Sequence, residues 1–529
     1  MHSKTNRFHK LLLILIASVG FILRISYLEN VPPGLTMDEV SIGYNAFTIR
    51  TAGTDQEGNV LPRAHFKSLG DYKLPLHIYL VAASQFLFGN TAFAIRLPGV
   101  LLSTATIVVA YFLAKHLFDD YVAIITSFLL AISPWHVFHS RLGLETTPAI
   151  FFFTVGLFFF VMTKKNPRRF IYALLFFILA FYTHHDYWVF LPPFLLSLCI
   201  IKRHELMQIS VRTGAILICI IVLASIPFLT EPNIANSTRR NQSILSYQNI
   251  ASLGTEGIQN CPFKSFSLLC SSSHIAYSLF SHVSVQYMNS FSLLIWYAPT
   301  GFDTVDVLPM RGLFYAFESI LFIIGLLYLF RQKNTTSFIL LSWLLFFPLP
   351  LIMTGNISAA RMIQLLPLPF IIEALGFREI RKIHPAFIYV FIIIIIFSFG
   401  RFIADMFFIY PYKFSNQTDY GYIAVKNYIQ SHPANEFYID TSLFSKLHAY
   451  FYYSIPPSII SSDKITPSGT VPLKYGNISL VERGYVPSNK SQSLFISRLK
   501  DVPSDYTVIN EIKLLDGGTY ATISKPKIQ

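Results

Sequence analysis

Long apolar segments alternate with short polar ones along most of the chain. A helix needs about 20 apolar residues to cross the roughly 30 Å hydrocarbon layer of a bilayer, and about eleven segments approach that length. They cover residues 10–28, 93–117, 121–139, 147–163, 170–183, 187–201, 212–229, 312–330, 337–353, 361–377 and 385–409. This pattern predicts an all-α polytopic membrane protein with about eleven transmembrane helices.

The short polar connections on one side of this arrangement carry many of the basic residues. If the N-terminus is cytoplasmic, alternate connections contain Lys115, then Lys164, Lys165, Arg168 and Arg169, then Lys202, Arg203 and Arg212, then Arg331 and Lys333, then Arg378, Arg381 and Lys382. Basic residues collect in the cytoplasmic loops of membrane proteins. The formal net charge of +13 is therefore explained by topology, and a nucleic-acid partner is unsupported.

Three polar stretches fall on the opposite, extracytoplasmic side. They are residues 29–74, residues 230–311 and the tail after about residue 411. The tail alternates strand-like and helix-like stretches, which predicts a small α/β domain of roughly 110 residues. We therefore predict a transmembrane domain over residues 1–410, with external loops 29–74 and 230–311, and a soluble extracytoplasmic C-terminal domain over residues 411–529.

The cysteines and histidines give few constraints on chemistry. Cys199 and Cys219 lie in apolar segments. Cys261 and Cys270 share a predicted external loop, and whether they form a local disulfide stays open. Zinc-type spacing and nucleotide-binding motifs are absent, so no cofactor is predicted and a divalent cation stays open.

The external loops contain short motifs in a distinctive order. Three lie before or at the second apolar segment: Pro32-Pro33-Gly34-Leu35-Thr36-Met37-Asp38-Glu39, Gly70-Asp71-Tyr72-Lys73-Leu74-Pro75-Leu76 and Ile95-Arg96-Leu97-Pro98. Later ones are Ser133-Pro134-Trp135-His136, Ser140-Arg141 with Glu145, and Arg361 followed by Leu366-Pro367. Their order and common placement resemble the GT-C superfamily of membrane glycosyltransferases. The resemblance is to the family that includes protein O-mannosyltransferases and lipid A aminoarabinose transferases. Lys73 is followed by leucine, where the aminoarabinose enzymes have proline.

The resemblance implies an inverting glycosyltransferase that uses a polyprenyl-phosphate sugar donor at the extracytoplasmic face. It covers roughly residues 28 to 410. The acceptor would be a glycan, a lipid or a protein.

The chemistry of such a transfer favours the same residues. A phosphate monoester is a good leaving group and needs fixed cations rather than a general acid, so one carboxylate can serve as the base for the acceptor hydroxyl. We predict Asp38 as this base and Glu39 as a second catalytic residue, which either raises the pKa of its neighbour by like-charge repulsion or orients the acceptor. The predicted phosphate-binding cations are Lys73, Arg96 and Arg361, and the candidate substrate-binding residues are Asp71, Tyr72, Arg141, Glu145, His184 and His185.

Each assignment has an ordinary structural alternative. Asp38 and Glu39 could cap an external helix, and Arg96 or Arg361 could reach the lipid interface or pair with Glu145 or Asp71. His184 and His185 could be hydrogen-bonded interface residues, with a metal role less favoured.

Two other classes of function share this architecture. A lipid-linked glycan flippase or other transporter would show paired charges or broken helices near the middle of the bilayer, whereas the spans here are largely free of acids. A polysaccharide polymerase or ligase would concentrate its chemistry in one large loop, but residues 230–311 are rich in Ser and Asn.

Overall fold

The fold is described from a computed structural model. It covers residues 2–68, 71–231, 267–298, 306–308, 311–354, 358–384, 386–443, 446–462, 473–482, 485 and 493–527, together with residues 252, 255, 256 and 259. Cys270 is disulfide-bonded and Cys199 and Cys219 are free, but Cys261 lies outside the described residues.

Helices dominate the first four-fifths of the chain. The first eleven are α1 (His2–Ile25), α2 (Met37–Ala52), α3 (Pro75–Phe88), α4 (Ala92–Leu117), α5 (Asp120–Ile132), α6 (Pro134–Ser140), α7 (Thr146–Val161), α8 (Arg169–Phe181), α9 (Asp186–Ile201), α10 (Arg203–Leu206) and α11 (Val211–Thr230). The next nine are α12 (Ser267–Ser290), α13 (Leu293–Tyr297), α14 (Glu318–Gln332), α15 (Thr335–Phe346), α16 (Leu349–Thr354), α17 (Ala359–Met362), α18 (Leu368–Ile383), α19 (Phe387–Ala404) and α20 (Tyr410–Phe414).

Six helical stretches in the described residues are long and apolar enough to cross a membrane. They are Arg7–Ile25, Ala92–Leu117, Thr146–Lys164, Val211–Thr230, Thr335–Met353 and Phe387–Phe414. Two bent pairs, Asp120–Ile132 with Pro134–Ser140 and Ala359–Leu365 with Leu368–Ile383, would raise the number to eight. The multi-pass helical architecture is thus confirmed, while the count of about eleven spans stays a prediction because several predicted spans are helices of 13 to 16 residues.

The first external loop folds as a compact unit against the bundle. It contains α2 and a small antiparallel hairpin of β1 (Phe66–Ser68) and β2 (Asp71–Lys73), and it leads into α3. Buried apolar side chains of α2 and α3 form one cluster with Leu447 and Phe451 from the tail. This loop and the tail therefore lie on the same side of the bundle.

The tail contains the predicted small α/β domain. Its helices are α21 (Tyr420–Ser431), α22 (Lys446–Tyr452) and α23 (Pro457–Ser462). Its strands are β3 (Glu436–Asp440), β4 (Leu473–Tyr475), β5 (Ile478–Val481), β6 (Ser493–Ser497), β7 (Tyr506–Lys513) and β8 (Thr519–Pro526), in the sheet order β4-β5-β3-β6-β8-β7. Strand β3 is parallel to β5 and β6, and the outer pairs are antiparallel.

Helices α14 and α18 approach each other unusually closely at two glycines. A Cβ atom on Gly376 would lie 1.9 Å from the Leu321 carbonyl oxygen, and one on Gly325 would lie 1.8 Å from that of Ile372. Backbone contact of this kind is how helices associate in lipid, where burial of apolar surface contributes little. The two glycines therefore set the spacing of this helix pair.

We predict that Gly376→Ala destabilises the helical bundle. The added methyl group meets backbone that cannot rotate away, so the free energy of unfolding should fall by about 1–3 kcal/mol or more. Gly400→Ala in α19 is the matched control, because no described atom lies within 4 Å of its Cβ position. Thermal unfolding in detergent measures both variants, and equal stability of the two would contradict the close contact.

Candidate active site

The start of α2 gives two neighbouring acids different environments. Thr36 Oγ1 accepts a hydrogen bond from the Glu39 amide at 3.3 Å, and Glu39 Oε2 accepts one from the Thr36 amide at 2.8 Å. This reciprocal capping box turns Glu39 back into the protein, where it is fully buried. Asp38, one position earlier, keeps 54% of its side chain exposed.

Lys73 joins Asp38 to a second acid. Its Nζ atom lies 3.0 Å from Asp38 Oδ1 and 3.2 Å from Glu145 Oε1. The lysine side chain is buried, and a buried ammonium is stable only when it is paired. Strand β2, the start of α2 and the start of α7 therefore meet at one ammonium group.

Glu145 is held in its ionised form. Burial raises its pKa, but the nearby positive charge of Lys73 outweighs that effect, with contributions from His184 and His77, so the pKa lies well below its usual range. Its Oε2 atom is buried and has no hydrogen-bond partner in the described part of the chain. Buried polar atoms are rarely left unpaired, so a substrate hydroxyl could donate to this oxygen.

Arg96 pairs with Glu39 rather than facing a ligand. It is fully buried, and its Nε atom donates to Glu39 Oε1 at 2.8 Å. Its terminal nitrogens donate to the backbone carbonyls of Leu28, Pro32 and Gly34. Binding a phosphate would require breaking these bonds, so these contacts favour a structural role for Arg96, and its role as a donor-phosphate ligand stays a prediction.

Arg141 is also engaged by the protein itself. Its guanidinium donates to the backbone carbonyls of five residues between the end of α1 and the start of α2, namely Leu23, Arg24, Ser26, Tyr27 and Val31. Arg141 is fully buried and its donors are satisfied by these carbonyls. Its role is therefore to stabilise the conformation of this loop. The predicted substrate-binding role of Arg141 is therefore not supported.

The other predicted residues occupy three places. Asp71 and Tyr72 share β2 with Lys73, and Arg361 lies half-buried in α17 at the bend before α18. His184 Nδ1 lies 3.7 Å from Asp186 Oδ2, and the His185 ring packs 4.9 Å from that of Trp188. No group of three or more metal-ligating side chains occurs among the residues that the structure describes.

Two further side chains, which were not predicted from the sequence, lie near Asp38, Lys73 and Glu145. His77 Nε2 lies 2.9 Å from the Gly143 carbonyl, and its charge influences Glu145. Asp419, from the tail, contacts the loop just before Asp38. His77 stands four residues after Lys73 and could have been included with that motif, whereas Asp419 has no local signal.

A family model supports the resemblance seen in the motifs. Residues 73–228 match the family described as dolichyl-phosphate-mannose-protein mannosyltransferase. The match covers less than half of the chain and agrees with the resemblance to membrane glycosyltransferases over these residues. The matched segment begins at Lys73 and includes Glu145 and His184, while Asp38 precedes it.

Several solved membrane transferases match this chain at low sequence identity. The archaeal oligosaccharyltransferase from Archaeoglobus fulgidus, in complex with an inhibitory peptide and a dolichol-phosphate, is 14% identical with a TM-score of 0.49 and covers 82% of this chain and 62% of its own. The transferase ArnT from Cupriavidus metallidurans, bound to undecaprenyl phosphate, is 12% identical with a TM-score of 0.44 and covers 97% and 98%. The S. cerevisiae protein O-mannosyltransferase complex bound to the sugar donor is 17% identical with a TM-score of 0.34 and covers 43% and 34%.

The chain spans 62% of the length of the archaeal oligosaccharyltransferase. A search of curated proteins found no match.

We predict that Glu39→Gln and Asp38→Asn have different effects on stability. Glu39→Gln leaves the buried Arg96 without its counter-charge, which should lower the free energy of unfolding by about 3–5 kcal/mol. Asp38→Asn removes a half-exposed partner and should cost less than about 1 kcal/mol. Thermal unfolding in detergent distinguishes them, and equal losses would contradict the division of roles.

Proposed function

We propose that this chain is an inverting glycosyltransferase of the GT-C type that moves a sugar from a polyprenyl-phosphate donor to an acceptor at the extracytoplasmic face. The observation that carries the proposal is the half-exposed Asp38 carboxylate, held 3.0 Å from the Lys73 ammonium. A base for the acceptor and a cation for the donor thus stand side by side. The match of residues 73–228 to a family of dolichyl-phosphate-mannose users supports this donor class.

The transfer can be written with a single base. The acceptor hydroxyl oxygen attacks the anomeric carbon, the bond from that carbon to the phosphate oxygen breaks, and Asp38 takes the hydroxyl proton. The electron pair of the broken bond leaves with the phosphate, which needs no proton because a phosphate monoester is a stable leaving group. Glu145, ionised by its neighbours, has no proton to supply and is unsuited to act as a general acid.

The donor phosphate needs more positive charge than Lys73 alone supplies. One ammonium faces two carboxylates, which leaves an excess negative charge that repels an anionic donor. We therefore propose Arg361, together with Lys73, as the phosphate-binding pair, and a divalent cation stays an open addition. Asp71, Tyr72, Glu145, His184 and His185 remain proposed substrate contacts.

The proposed orientation follows from two features. The first external loop and the tail pack together, so both lie on one side, and the basic connections occupy the other side of the predicted topology. We propose that the N-terminus is cytoplasmic and that the site and the tail domain are extracytoplasmic.

A transporter is the second candidate, because two acids lie fully buried among the helices. Glu318 begins α14 and Glu373 lies within α18, where Glu373 accepts a hydrogen bond from Tyr297 at 3.1 Å. Buried acids in spanning helices are typical of proton and ion pathways. This pair departs from the expectation that the spans are nearly free of acids.

We predict that Asp38→Asn lowers sugar transfer by about 10²- to 10⁴-fold, the usual contribution of a positioned base. The amide keeps the shape of the carboxylate but cannot take the proton. Donor binding should survive, because the proposed phosphate cations are unchanged and a negative charge has gone. The measurement is consumption of a polyprenyl-phosphate sugar by the purified protein.

Glu57→Gln is the matched control for this experiment. Glu57 is a partly exposed acid of the same external loop and forms an ion pair with Lys67 at 3.2 Å, so its loss should leave transfer unchanged. Near-normal transfer by folded Asp38→Asn would reject Asp38 as the base and leave Glu39 and Glu145 to be tested. Substrate movement without any glycosylated product in the wild type would favour the transporter.

We predict that Arg361→Ala weakens binding of the donor. Loss of a charge-assisted contact should cost about 1.5–3 kcal/mol of binding free energy. Lys73→Ala should weaken binding similarly, with Lys73→Arg retaining more affinity because it keeps the charge. Equilibrium binding of a labelled donor measures these effects, and Arg401→Ala, at an arginine that is 56% exposed, is the control. Unchanged affinity in both alanine variants would reject the phosphate assignment.

A further inference from the structure

Asp419 connects the tail to the loop that precedes Asp38. It is almost completely buried at the start of α21. Its Oδ1 atom accepts a short hydrogen bond from the Leu35 amide, its own amide donates to the Leu35 carbonyl at 3.0 Å, and its Oδ2 atom accepts from the Tyr452 hydroxyl at 2.6 Å. One side chain therefore joins the external loop to α22.

The contact lies very close to the proposed base along the chain. Leu35 immediately precedes Thr36, the cap that fixes the first turn of α2 and hence Asp38. Gly34 has a φ of +72°, and a Cβ atom there would lie 2.5 Å from Asp419 Oδ1. The Gly34 carbonyl accepts a hydrogen bond from Arg96, so the loop is held by Arg96 on one side and by Asp419 on the other.

The surrounding interface holds the tail domain in place. The Tyr44 hydroxyl donates to the Ile455 carbonyl at 2.9 Å, and Asn90 Nδ2 donates to the Phe451 carbonyl at 2.7 Å. Phe451 is buried in the same cluster as apolar side chains of α2 and α3. A domain docked this firmly can transmit its position to the loop.

We propose that Asp419 is a positioning residue. Through it, the tail domain holds the start of α2 so that Asp38 has the position required for the reaction. The proposal rests on the proposed function for the role of Asp38. The proposal means that the reaction requires the tail domain even though Asp38, Lys73 and Glu145 all lie outside that domain, within residues 1–410. Misplacing a reacting group by about 1 Å can cost about 100-fold in rate.

The ionisation of Asp419 gives the contact a pH dependence. Burial raises the pKa of Asp419 to about 7, and repulsion from Glu39 adds to this, against the hydrogen bonds from Tyr452 and Leu35 and the charge of Arg96. The titratable groups that interact with it are Glu39, Arg96, Tyr422, Tyr452 and Tyr520. Because the pKa is raised above that of the unfolded chain, the stabilisation from Asp419 is complete at low pH and is lost as the pH rises through about 7.

The test compares Asp419→Ala and Asp419→Asn in the full-length protein in detergent. Asp419→Ala removes both hydrogen bonds, so hydrogen exchange at residues 35–40 should speed up, and kcat should fall by about 10- to 100-fold with little change in KM. Asp419→Asn keeps an acceptor for Leu35 and cannot ionise. It should retain activity near that of the wild type, and its stability should no longer fall as the pH rises through about 7.

Asp440→Ala is the matched control. Asp440 is fully buried in β3 and accepts a hydrogen bond from the Ser442 amide at 2.7 Å, within the tail domain. An equal effect of Asp440→Ala on exchange at residues 35–40 would overturn the proposal, as would unchanged exchange in Asp419→Ala. If the wild type transfers no sugar, the proposed function fails, while the exchange measurement still decides whether Asp419 holds the loop.

Discussion

The buried ion pair between Arg96 and Glu39 is the interaction on which the geometry of the site depends. Two charges removed from water are costly unless every polar atom is satisfied. Here Arg96 also donates to three backbone carbonyls, and Glu39 accepts from the amides of Thr36 and Gly143. These bonds join the loop after α1, the start of α2, the start of α4 and the segment before α7. Breaking the pair would release all four segments together, so the neighbouring Asp38 can be exposed and still be fixed in position.

The second charge cluster differs from this pair because it reaches the surface. Lys73 is shared by one buried and one half-exposed carboxylate, so positive charge is the scarce component of the site. A reaction that expels phosphate and needs one base suits this arrangement, since a second carboxyl group acting as an acid would be required only for a poorer leaving group. The excess negative charge also explains why further cations belong in the proposed donor site.

The tail domain packs against the loop that carries the proposed active site. Its helix α22 packs on α2, and Asp419 forms hydrogen bonds with both Leu35 and Tyr452. The loop carrying Gly34 and Leu35 is therefore held between Arg96 of α4 and Asp419 of the tail. Such an arrangement makes the site sensitive to the docking of a domain that contributes none of the proposed reacting groups.

The sequence by itself determined the membrane class, most helix positions and the α/β tail, and it singled out Asp38, Lys73 and Glu145 as candidates without showing that they meet. Apolar length and motif order are local properties, and local properties persist in the fold. Tertiary structure alone decided which charges are buried. Arg96 was a candidate for the donor phosphate and Arg141 for the substrate because both stand near span ends. In the structure, Arg96 is held by Glu39 and three backbone carbonyls, and Arg141 is held by five backbone carbonyls. Asp419 lies 384 positions from Leu35, and no periodicity or spacing reports a contact across that separation, because it exists only once the bundle and the tail have packed together.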